Sequence, residues 1–274
     1  SESRKQFINC DPILTNVKSL MWQEPRKIAE KLVLGDDLKK ATDKNIDYYF
    51  PMQPKLHGFI SGLIRKKKPS KICEIGVNQG GSTVVLLQTI KSLQLDAKLF
   101  SFDINKNLPT KTNLKKWAPH LIDPWHLEIG RDMSSFLEEM GGDVDFCIID
   151  AAHFMPGEVL NFICILPYLK IGATVVVDDQ IAHFDENHDY VKAIGQSYHI
   201  SCRVLFDTIV ANKPVTNFGS GTRIEIPNIA SFDVNELTKK YVTSLFSALM
   251  LPWRFLPSRR ALSDTYHSLQ RNYP

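Results

Sequence analysis

Hydrophobic and polar positions follow two alternating patterns over most of the chain after about residue 70. Short apolar runs predict buried strands in KICEIGV, KLFSFDI, PWHLEIG, DVDFCIID and GATVVVDD. Longer segments with helical spacing lie between and after these strands and are predicted to be helices, among them MSSFLEEM and DENHDYVKAIGQSY. The predicted helix STVVLLQTIKSL is expected to open with Ser82 and Thr83 in capping positions. Two further strands are predicted in ISCRVLFDTIVAN and TRIEIP, as an antiparallel pair at a sheet edge.

Buried strands spaced by helices of this length predict βαβ units, with helices on both faces of a mostly parallel sheet. The predicted fold class is therefore α/β, as a doubly wound, Rossmann-like sheet of seven strands. The pattern before this region is mostly helical, with a break near Tyr48-Tyr49-Phe50-Pro51. Three parts are expected: an N-terminal helical segment (1–54), a central domain (55–227) and a C-terminal helical extension (228–274).

Composition narrows the class of protein. With 274 residues and 43% hydrophobic content, the chain can bury one sizeable core. The net charge of +3 gives no support for a nucleic-acid partner, which would require a concentrated basic face. Five cysteines without a CxxC pair are expected to be free, buried thiols in a reducing compartment, so a cytoplasmic location is predicted. No apolar run is long enough to span a bilayer, and SESRKQF does not make a signal peptide.

The ends of the predicted strands carry most of the candidate chemistry. In a doubly wound sheet the ligand lies beyond the carboxyl ends of the strands. Nearly every predicted end contains an acid: Glu74 to Gly76, Asp103, Gly130 to Asp132, Asp150 to His153, and Asp178-Asp179. Carboxylates gathered at one rim repel each other, so a cationic or hydroxyl-rich ligand is expected there.

The first strand ends in a glycine loop with the spacing Gly76-x-x-x-Gly80, followed by a helix. This loop departs from the dinucleotide pattern G-x-G-x-x-G, because Asn78 occupies the place of the middle glycine. A carboxylate at Glu74 would oppose a pyrophosphate but suits an ammonium group. S-adenosylmethionine has an amine and a sulfonium and no phosphate, and Asp103 can accept hydrogen bonds from its ribose hydroxyls. The loop therefore favours S-adenosylmethionine over a dinucleotide.

Four segments in order, EIGVNQGGST, SFDIN, FCIIDAAH and ATVVVDDQI, resemble the class I S-adenosylmethionine-dependent methyltransferases. More narrowly, they resemble the metal-dependent O-methyltransferases of the catechol and caffeoyl-CoA type and, at the metal and base motif, the macrocin and macrolide-sugar type. The resemblance implies cofactor contacts at Glu74, Gly76, Asn78, Gly80, Ser82, Asp103 and Asp132. Asp132 serves equally well as a helix cap for MSSFLEEM. The resemblance also implies that the N-terminal helices form a lid over the cofactor cleft.

A second group of acids points to a metal site. Asp150 ends the fourth strand and Asp178 and Asp179 end the fifth, so their carboxylates could converge. A hard cation such as Mg²⁺, or another divalent ion, would resolve their repulsion, and the resemblance implies these three residues as its ligands. The alternative is that Asp178 and Asp179 cap the following turn.

His153 lies three residues after Asp150 and is a candidate general base, because its ordinary pKa of about 6.5 suits proton removal at neutral pH. A histidine at this place resembles the macrolide-sugar enzymes, where the catechol type has a lysine. His183 is a second candidate for the base or for a substrate contact. The alternative for either residue is a structural hydrogen bond.

The expected function is methyl transfer from S-adenosylmethionine, assisted by a divalent metal, to a hydroxyl of a sugar, glycan or other small natural product. A non-catalytic binding protein that keeps the fold, and a nucleotide-dependent oxidoreductase, are the alternatives. In the C-terminal extension, Leu237, Tyr241, Leu245 and Leu249 share one helical face. This segment is expected to dock on the core or on a partner in a homo-oligomer, and the alternative is a peripheral contact with a membrane surface.

Overall fold

The computed structural model describes residues 54–123, 125–151, 154–178, 201–202, 204–205, 208, 216–220, 227–240, 242–251, 253 and 256–273. The expected N-terminal segment before residue 54 lies outside these residues, as do the helix predicted in DENHDYVKAIGQSY and all of TRIEIP except Pro227.

Within this described part, seven strands form one sheet in the order β3-β2-β1-β4-β5-β7-β6. The strands are β1 (Lys71–Ile75), β2 (Lys98–Asp103), β3 (Trp125–Ile129), β4 (Val144–Ile149), β5 (Leu169–Val177), β6 (Thr216–Ser220) and β7 (Pro227–Asp233). The first five run parallel, and β7 is antiparallel to both of its neighbours. The chain leaves β1 in one direction and returns to add β4 on its other side, so the switch point of the sheet lies between β1 and β4.

The helices cover both faces of this sheet. Their bounds are α1 (Pro54–Lys67), α2 (Gly81–Ser92), α3 (Thr110–Trp117), α4 (Leu137–Met140), α5 (Gly157–Ile165), α6 (Glu236–Lys240), α7 (Val242–Ala248) and α8 (Arg259–Asn272). Short 3₁₀ turns lie at Pro119–Leu121, Met133–Ser135 and Leu166–Tyr168. The predicted doubly wound α/β fold is confirmed.

Successive residues of each central strand point to opposite faces, which divides the core in two. Ile72, Phe146 and Ile148 belong to the cluster under α1 and α2. Cys73 and Cys147 belong to the cluster under α5 and the C-terminal helices. Both faces of a parallel strand are buried, which explains why β1 and β4 read as nearly continuous apolar runs. The cysteines in the described residues, Cys73, Cys147, Cys164 and Cys202, are free and buried, as expected.

Two local predictions are wrong. The segment 201–208 was expected to be a strand, but its described residues are helical. The antiparallel edge pair exists, yet Thr216–Ser220 and Pro227–Asp233 form it instead of the predicted runs. Because β7 pairs with β5, the sheet continues to Asp233, past residue 227 where the central domain was expected to end.

The segment MSSFLEEM, expected to be one helix, is divided into a 3₁₀ turn and the one-turn helix α4. The two parts are separated by Phe136, whose ring packs on Phe102 with a distance of 6.0 Å between the ring centroids.

The C-terminal segment docks on the core, in agreement with the first of the two interpretations. The Tyr273 hydroxyl donates a hydrogen bond to the carbonyl oxygen of Ile163 at 2.8 Å, and its ring packs edge-on against Phe246. Arg271 and Glu138 form an ion pair of 2.5 Å. In the part of the chain that the structure describes, no helix has the length and apolar character needed to cross a membrane.

Candidate active site at the carboxyl ends of the strands

The carboxyl ends of the parallel strands stand in one row, because the hydrogen-bond ladder continues beyond them. The backbone N–H of Gly76 donates to the carbonyl of Phe102 at 2.9 Å, and that of Gly130 donates to the carbonyl of Asp103 at 2.8 Å. On the other side of β1, Asp150 N–H donates to Ile75 at 2.9 Å. The predicted site residues of different strands are therefore neighbours.

The glycine loop after β1 has a left-handed backbone at three places. The φ angles are +91° at Gly76, +48° at Asn78 and +99° at Gly80. Glycine adopts such angles without steric cost, and asparagine tolerates them better than most residues. Gly80 is also the N-cap residue of α2 and uses no side chain for capping, so the expectation that Ser82 and Thr83 occupy capping positions is wrong.

Asp103 holds this loop in place. Its Oδ2 accepts hydrogen bonds from the backbone N–H groups of Val77 at 2.9 Å and Asn78 at 3.1 Å, while Oδ1 accepts from Asn105 N–H at 2.9 Å. Bonds from backbone N–H groups to a carboxylate are charge-assisted and stronger than neutral ones. The carboxylate at the end of β2 thus fixes the shape of the loop at the end of β1.

Helix α3 holds the loop from the opposite side. The hydroxyl of Thr110 donates to the carbonyl oxygen of Asn78, and the amide of Asn113 donates to the carbonyl oxygen of Gln79 at 3.4 Å. Both side chains are buried. Sequence reasoning missed these two residues, because a polar residue on a short helix gives no sign of the distant loop that it contacts.

Glu74 lies inside the protein, with no exposed surface. Its Oε1 accepts a hydrogen bond from the hydroxyl of Ser82, and its Oε2 accepts from Thr83 at 2.8 Å and from Ser101 at 2.6 Å. Burial raises the pKa of Glu74 from 4.5 to about 7, although the three hydroxyl bonds act in the opposite direction and Asp103 adds to the rise. In this arrangement Glu74 joins β1, β2 and the first turn of α2. A contact between Glu74 and the cofactor stays a prediction.

Ser101 was also missed, although the sequence contains a signal for it. It is the one hydroxyl within the strand run KLFSFD, and the register places it directly opposite Glu74. The indole N–H of Trp125 donates to the Ser101 hydroxyl at 2.9 Å, which extends the polar group to β3.

Asp150 and Asp178 occupy equivalent places on adjacent strands. Ile149 and Val177 are register partners at the ends of β4 and β5, and one carboxylate residue follows each. Asp178 N–H donates to the Ile149 carbonyl at 3.2 Å, and Asp178 is almost completely buried. This arrangement supplies hard oxygen donors of the kind that Mg²⁺ prefers.

Three of the predicted residues lie outside the described part of the chain: Asp179, His153 and the second candidate base, His183. Among those that the structure describes, no three histidines, cysteines or acids form a group that could hold a metal ion. The metal site and the general base therefore stay predictions.

The loop after β4 is anchored by a residue that sequence reasoning overlooked. Glu158, in the first turn of α5, is completely buried, and its Oε1 accepts a hydrogen bond from the backbone N–H of Ala151 at 3.2 Å. A glutamate at a helix start is common, so its position in the sequence did not reveal that it faces inward.

Asp132 caps the 3₁₀ turn after β3. Its Oδ1 accepts from the backbone N–H of Ser134 at 3.0 Å and from the Ser134 hydroxyl at 2.6 Å. Burial raises the pKa of the Asp132 carboxyl, the bonds from Ser134 lower it, and the nearby Asp264 raises it further. The capping interpretation of Asp132 therefore holds, and its predicted cofactor contact stays a prediction. A cavity beside Asp132 is closed by residues of α8, which sequence reasoning did not connect with the site.

Comparisons with known proteins agree with this fold. A family described as a methyltransferase domain matches residues 73–180, which run from β1 to just past β5. No curated protein sequence matches the chain. The segment 73–180 is thus similar to a methyltransferase domain, and the predicted resemblance to class I methyltransferases is confirmed.

Solved structures share the fold at low sequence identity. The O-methyltransferase TomG from Streptomyces achromogenes, in complex with S-adenosylmethionine, has a TM-score of 0.52 at 16% identity, covering 84% of this chain and 99% of its own. A structure described as a caffeoyl-CoA O-methyltransferase from Staphylococcus aureus has a TM-score of 0.56 at 18% identity, covering 80% and 100%. An O-methyltransferase from Bacillus cereus in complex with S-adenosylhomocysteine has a TM-score of 0.51 at 14% identity, covering 81% and 97%.

Proposed function

We propose that this protein is an S-adenosylmethionine-dependent O-methyltransferase that acts on a hydroxyl of a sugar, glycan or other small natural product. The observation that carries the proposal is the glycine loop at the switch point, held by the Asp103 carboxylate and adjacent to Asp150. The loop is where class I methyltransferases bind their cofactor, and TomG and the Bacillus cereus protein are solved with that cofactor or its product.

The charge of the rim supports this cofactor over a dinucleotide. Three carboxylates stand at or directly after the ends of β2, β4 and β5: those of Asp103, Asp150 and Asp178. They would repel a pyrophosphate. An amine and a sulfonium are cations, so the same carboxylates attract them. The Gly76 backbone also lies against the end of β4, which brings the cofactor loop next to Asp150.

We propose that Asp150, Asp178 and Asp179 hold a divalent cation, with Mg²⁺ as the best match to carboxylate oxygens. A cation held there would lower the pKa of an acceptor hydroxyl. The adjacent positions of Asp150 and Asp178 at the ends of β4 and β5 support the fit.

His153 is proposed as the general base that removes the hydroxyl proton. It follows Asp150 by three residues, and the backbone N–H of Ala151, next to Asp150, donates to the buried Glu158. Proton transfer to the imidazole leaves an oxygen nucleophile, which displaces the sulfur from the methyl carbon. The methyl group goes to the acceptor oxygen, and the carbon–sulfur bonding electrons stay on the sulfur of S-adenosylhomocysteine.

Titration calorimetry with S-adenosylhomocysteine and NAD tests the cofactor assignment. We expect binding of the first ligand and none of the second, and binding of NAD alone would contradict the proposal. Incubation with S-adenosylmethionine and a library of sugars, glycans and hydroxylated metabolites should give a product heavier by one methylene group in mass spectrometry. Loss of that product on adding EDTA, and its return with Mg²⁺, tests the metal.

A further inference from the structure

A small cavity, partly open to solvent, lies between the ends of β2 and β3 and the start of α8. Ile104 lines it after β2, and Arg131 and Asp132 line it after β3. Arg260, Ala261 and Asp264 line it from the first two turns of α8. The carboxyl edge of the sheet and the start of the C-terminal helix thus both contribute walls to one partly open space.

The charges of these walls identify the kind of ligand. Two arginines and two aspartates line the cavity, so the walls have no net charge. Walls without net charge offer no net attraction to an anion or a cation, which favours a neutral ligand. Ile104 and Ala261 add apolar surface, and Ile104 is 45% exposed although it is a large aliphatic residue. A neutral, planar heterocycle with both hydrogen-bond donors and acceptors fits such walls.

The position of the cavity relates it to the glycine loop. Ile104 follows Asp103, whose carboxylate binds the loop, and Gly130 donates its backbone N–H to the Asp103 carbonyl. The cavity therefore begins where the ribose hydroxyls of S-adenosylmethionine would reach Asp103. The next group of that cofactor is adenine, which is a neutral heterocycle with an exocyclic amine and acceptor nitrogens.

Helix α8 is fixed in this place by contacts at both of its ends. The Ser258 hydroxyl caps it by accepting from Ala261 N–H at 3.1 Å, and the hydroxyls of Thr265 and Ser134 are 3.4 Å apart. At the other end, Arg271 pairs with Glu138 and the Tyr273 hydroxyl binds the Ile163 carbonyl. The wall supplied by α8 is therefore part of the folded core.

We propose that α8 forms the outer wall of the adenine subsite, and that Arg260 and Asp264 select the base. This proposal rests on the proposed function, because it assumes that S-adenosylmethionine binds at the glycine loop. Arg131 already lies over the ring of Phe136, at 4.3 Å from its centroid. Arg260 is exposed and makes no ion pair among the described residues, so its guanidinium can stack on the base or donate to a ring nitrogen. Asp264 can accept from the exocyclic amine.

Two neighbouring arginines supply a matched test. Arg259 and Arg260 are both exposed in the first turn of α8, and Arg260 lines the cavity while Arg259 does not. By calorimetry, Arg260→Ala should weaken the binding of S-adenosylhomocysteine roughly 2- to 30-fold, the range for a cation on an aromatic ring. Arg259→Ala should bind within twofold of the unaltered protein.

Asp264→Asn tests the selection of the base. The probes are S-adenosylhomocysteine and S-inosylhomocysteine, in which a carbonyl replaces the amine. The unaltered protein should favour the adenine probe, and Asp264→Asn should reduce that preference. Equal affinities of Arg259→Ala and Arg260→Ala, with an unchanged preference in Asp264→Asn, would overturn the role of α8. Failure of the unaltered protein to bind either probe would instead overturn the proposed function.

Discussion

A Cβ atom added to Gly76 would lie 1.6 Å from the carbonyl oxygen of Asp150. This distance is far inside van der Waals contact, and Gly76 and Asp150 directly follow the register partners Ile75 and Ile149 at the ends of β1 and β4. The cofactor loop and the loop proposed to hold the metal therefore touch through a single glycine.

Gly76→Ala should lower the free energy of unfolding more than Gly172→Ala or Gly142→Ala. Two controls separate the causes. Gly172 has φ +86° with open space around its Cβ position, so Gly172→Ala should show the backbone cost alone, about 1–2 kcal/mol. Gly142 has neither problem, so Gly142→Ala should change the free energy of unfolding by less than about 0.5 kcal/mol. Urea unfolding of the three variants checks the order, and similar losses for Gly76→Ala and Gly172→Ala would mean that the close approach is unimportant.

The buried Glu74 should make stability depend on pH. Its folded-state pKa of about 7 exceeds the ordinary value of 4.5, so the folded protein keeps a proton that the unfolded chain has lost. The free energy of unfolding therefore falls as pH rises from 4.5 to 7, by about 3 kcal/mol, and is constant above that range. Glu74→Gln should lack this fall, so the difference between the two proteins should change with pH.

Denaturant unfolding at several pH values measures this effect. Ser101→Ala is a useful companion, because it removes one hydroxyl that favours the ionised carboxylate and should raise the pKa of Glu74 further. Parallel pH profiles of the unaltered protein and Glu74→Gln would show that folding leaves the pKa of Glu74 unchanged.

Cofactor and metal binding should be separable by substitution. Asp103→Ala removes the carboxylate that binds the glycine loop. This substitution should weaken the binding of S-adenosylhomocysteine roughly 10-fold or more. Asp150→Asn should leave that affinity within a few fold, about 1 kcal/mol or less, while lowering Mg²⁺-dependent activity. Asp179→Asn should behave like Asp150→Asn. Calorimetry and activity assays over a range of Mg²⁺ concentrations compare the variants, and equal losses of cofactor affinity in all of them would indicate that these acids are structural.

His153→Ala tests the base directly. Loss of a general base should lower kcat roughly 10²-fold, with little change in KM for the cofactor. The fall of kcat at low pH should also disappear. That fall arises because protonation of the imidazole prevents it from accepting a proton. His126 is a matched control, because it is exposed and stacks on Phe100, so His126→Ala should keep its activity. If His153→Ala keeps a nearly normal kcat at pH 7 and still loses activity at low pH, then His183 or water accepts the hydroxyl proton instead.

The sequence was sufficient to predict the sheet because its parallel strands are buried on both faces. β1 and β4 appear as apolar runs for that reason, and the residue after each run had to lie at the carboxyl edge. Asp103, Asp150 and Asp178 follow from this rule alone. The glycine loop after β1 was likewise visible in the sequence, and its Gly76 and Gly80 both have positive φ.

Contacts between distant segments were not predictable in the same way. Ser82 and Thr83 at a helix start have the usual appearance of caps, and only the fold shows that they bind Glu74 instead. The helical residues within 201–208 come from β-branched and apolar sequence that favours a strand, so tertiary packing overrides local propensity there. The contact of α8 with the 3₁₀ turn at Ser134 joins residues 131 positions apart, and no local pattern encodes it.

The order β5-β7-β6 also constrains how the chain folds during synthesis. β6 leaves the ribosome before β7, yet it lies outside β7 at the end of the sheet. Until residue 233 has emerged, β5 lacks the neighbour that it has in the finished sheet and β6 has no strand to pair with, so β7 and β6 both join the sheet late. The salt bridge between Lys67 and Asp233, at 2.6 Å, then ties the first helix of the domain to its last strand. A nascent chain stalled before that point would present a bare, apolar strand edge, which is the feature that chaperones recognise and that otherwise leads to aggregation.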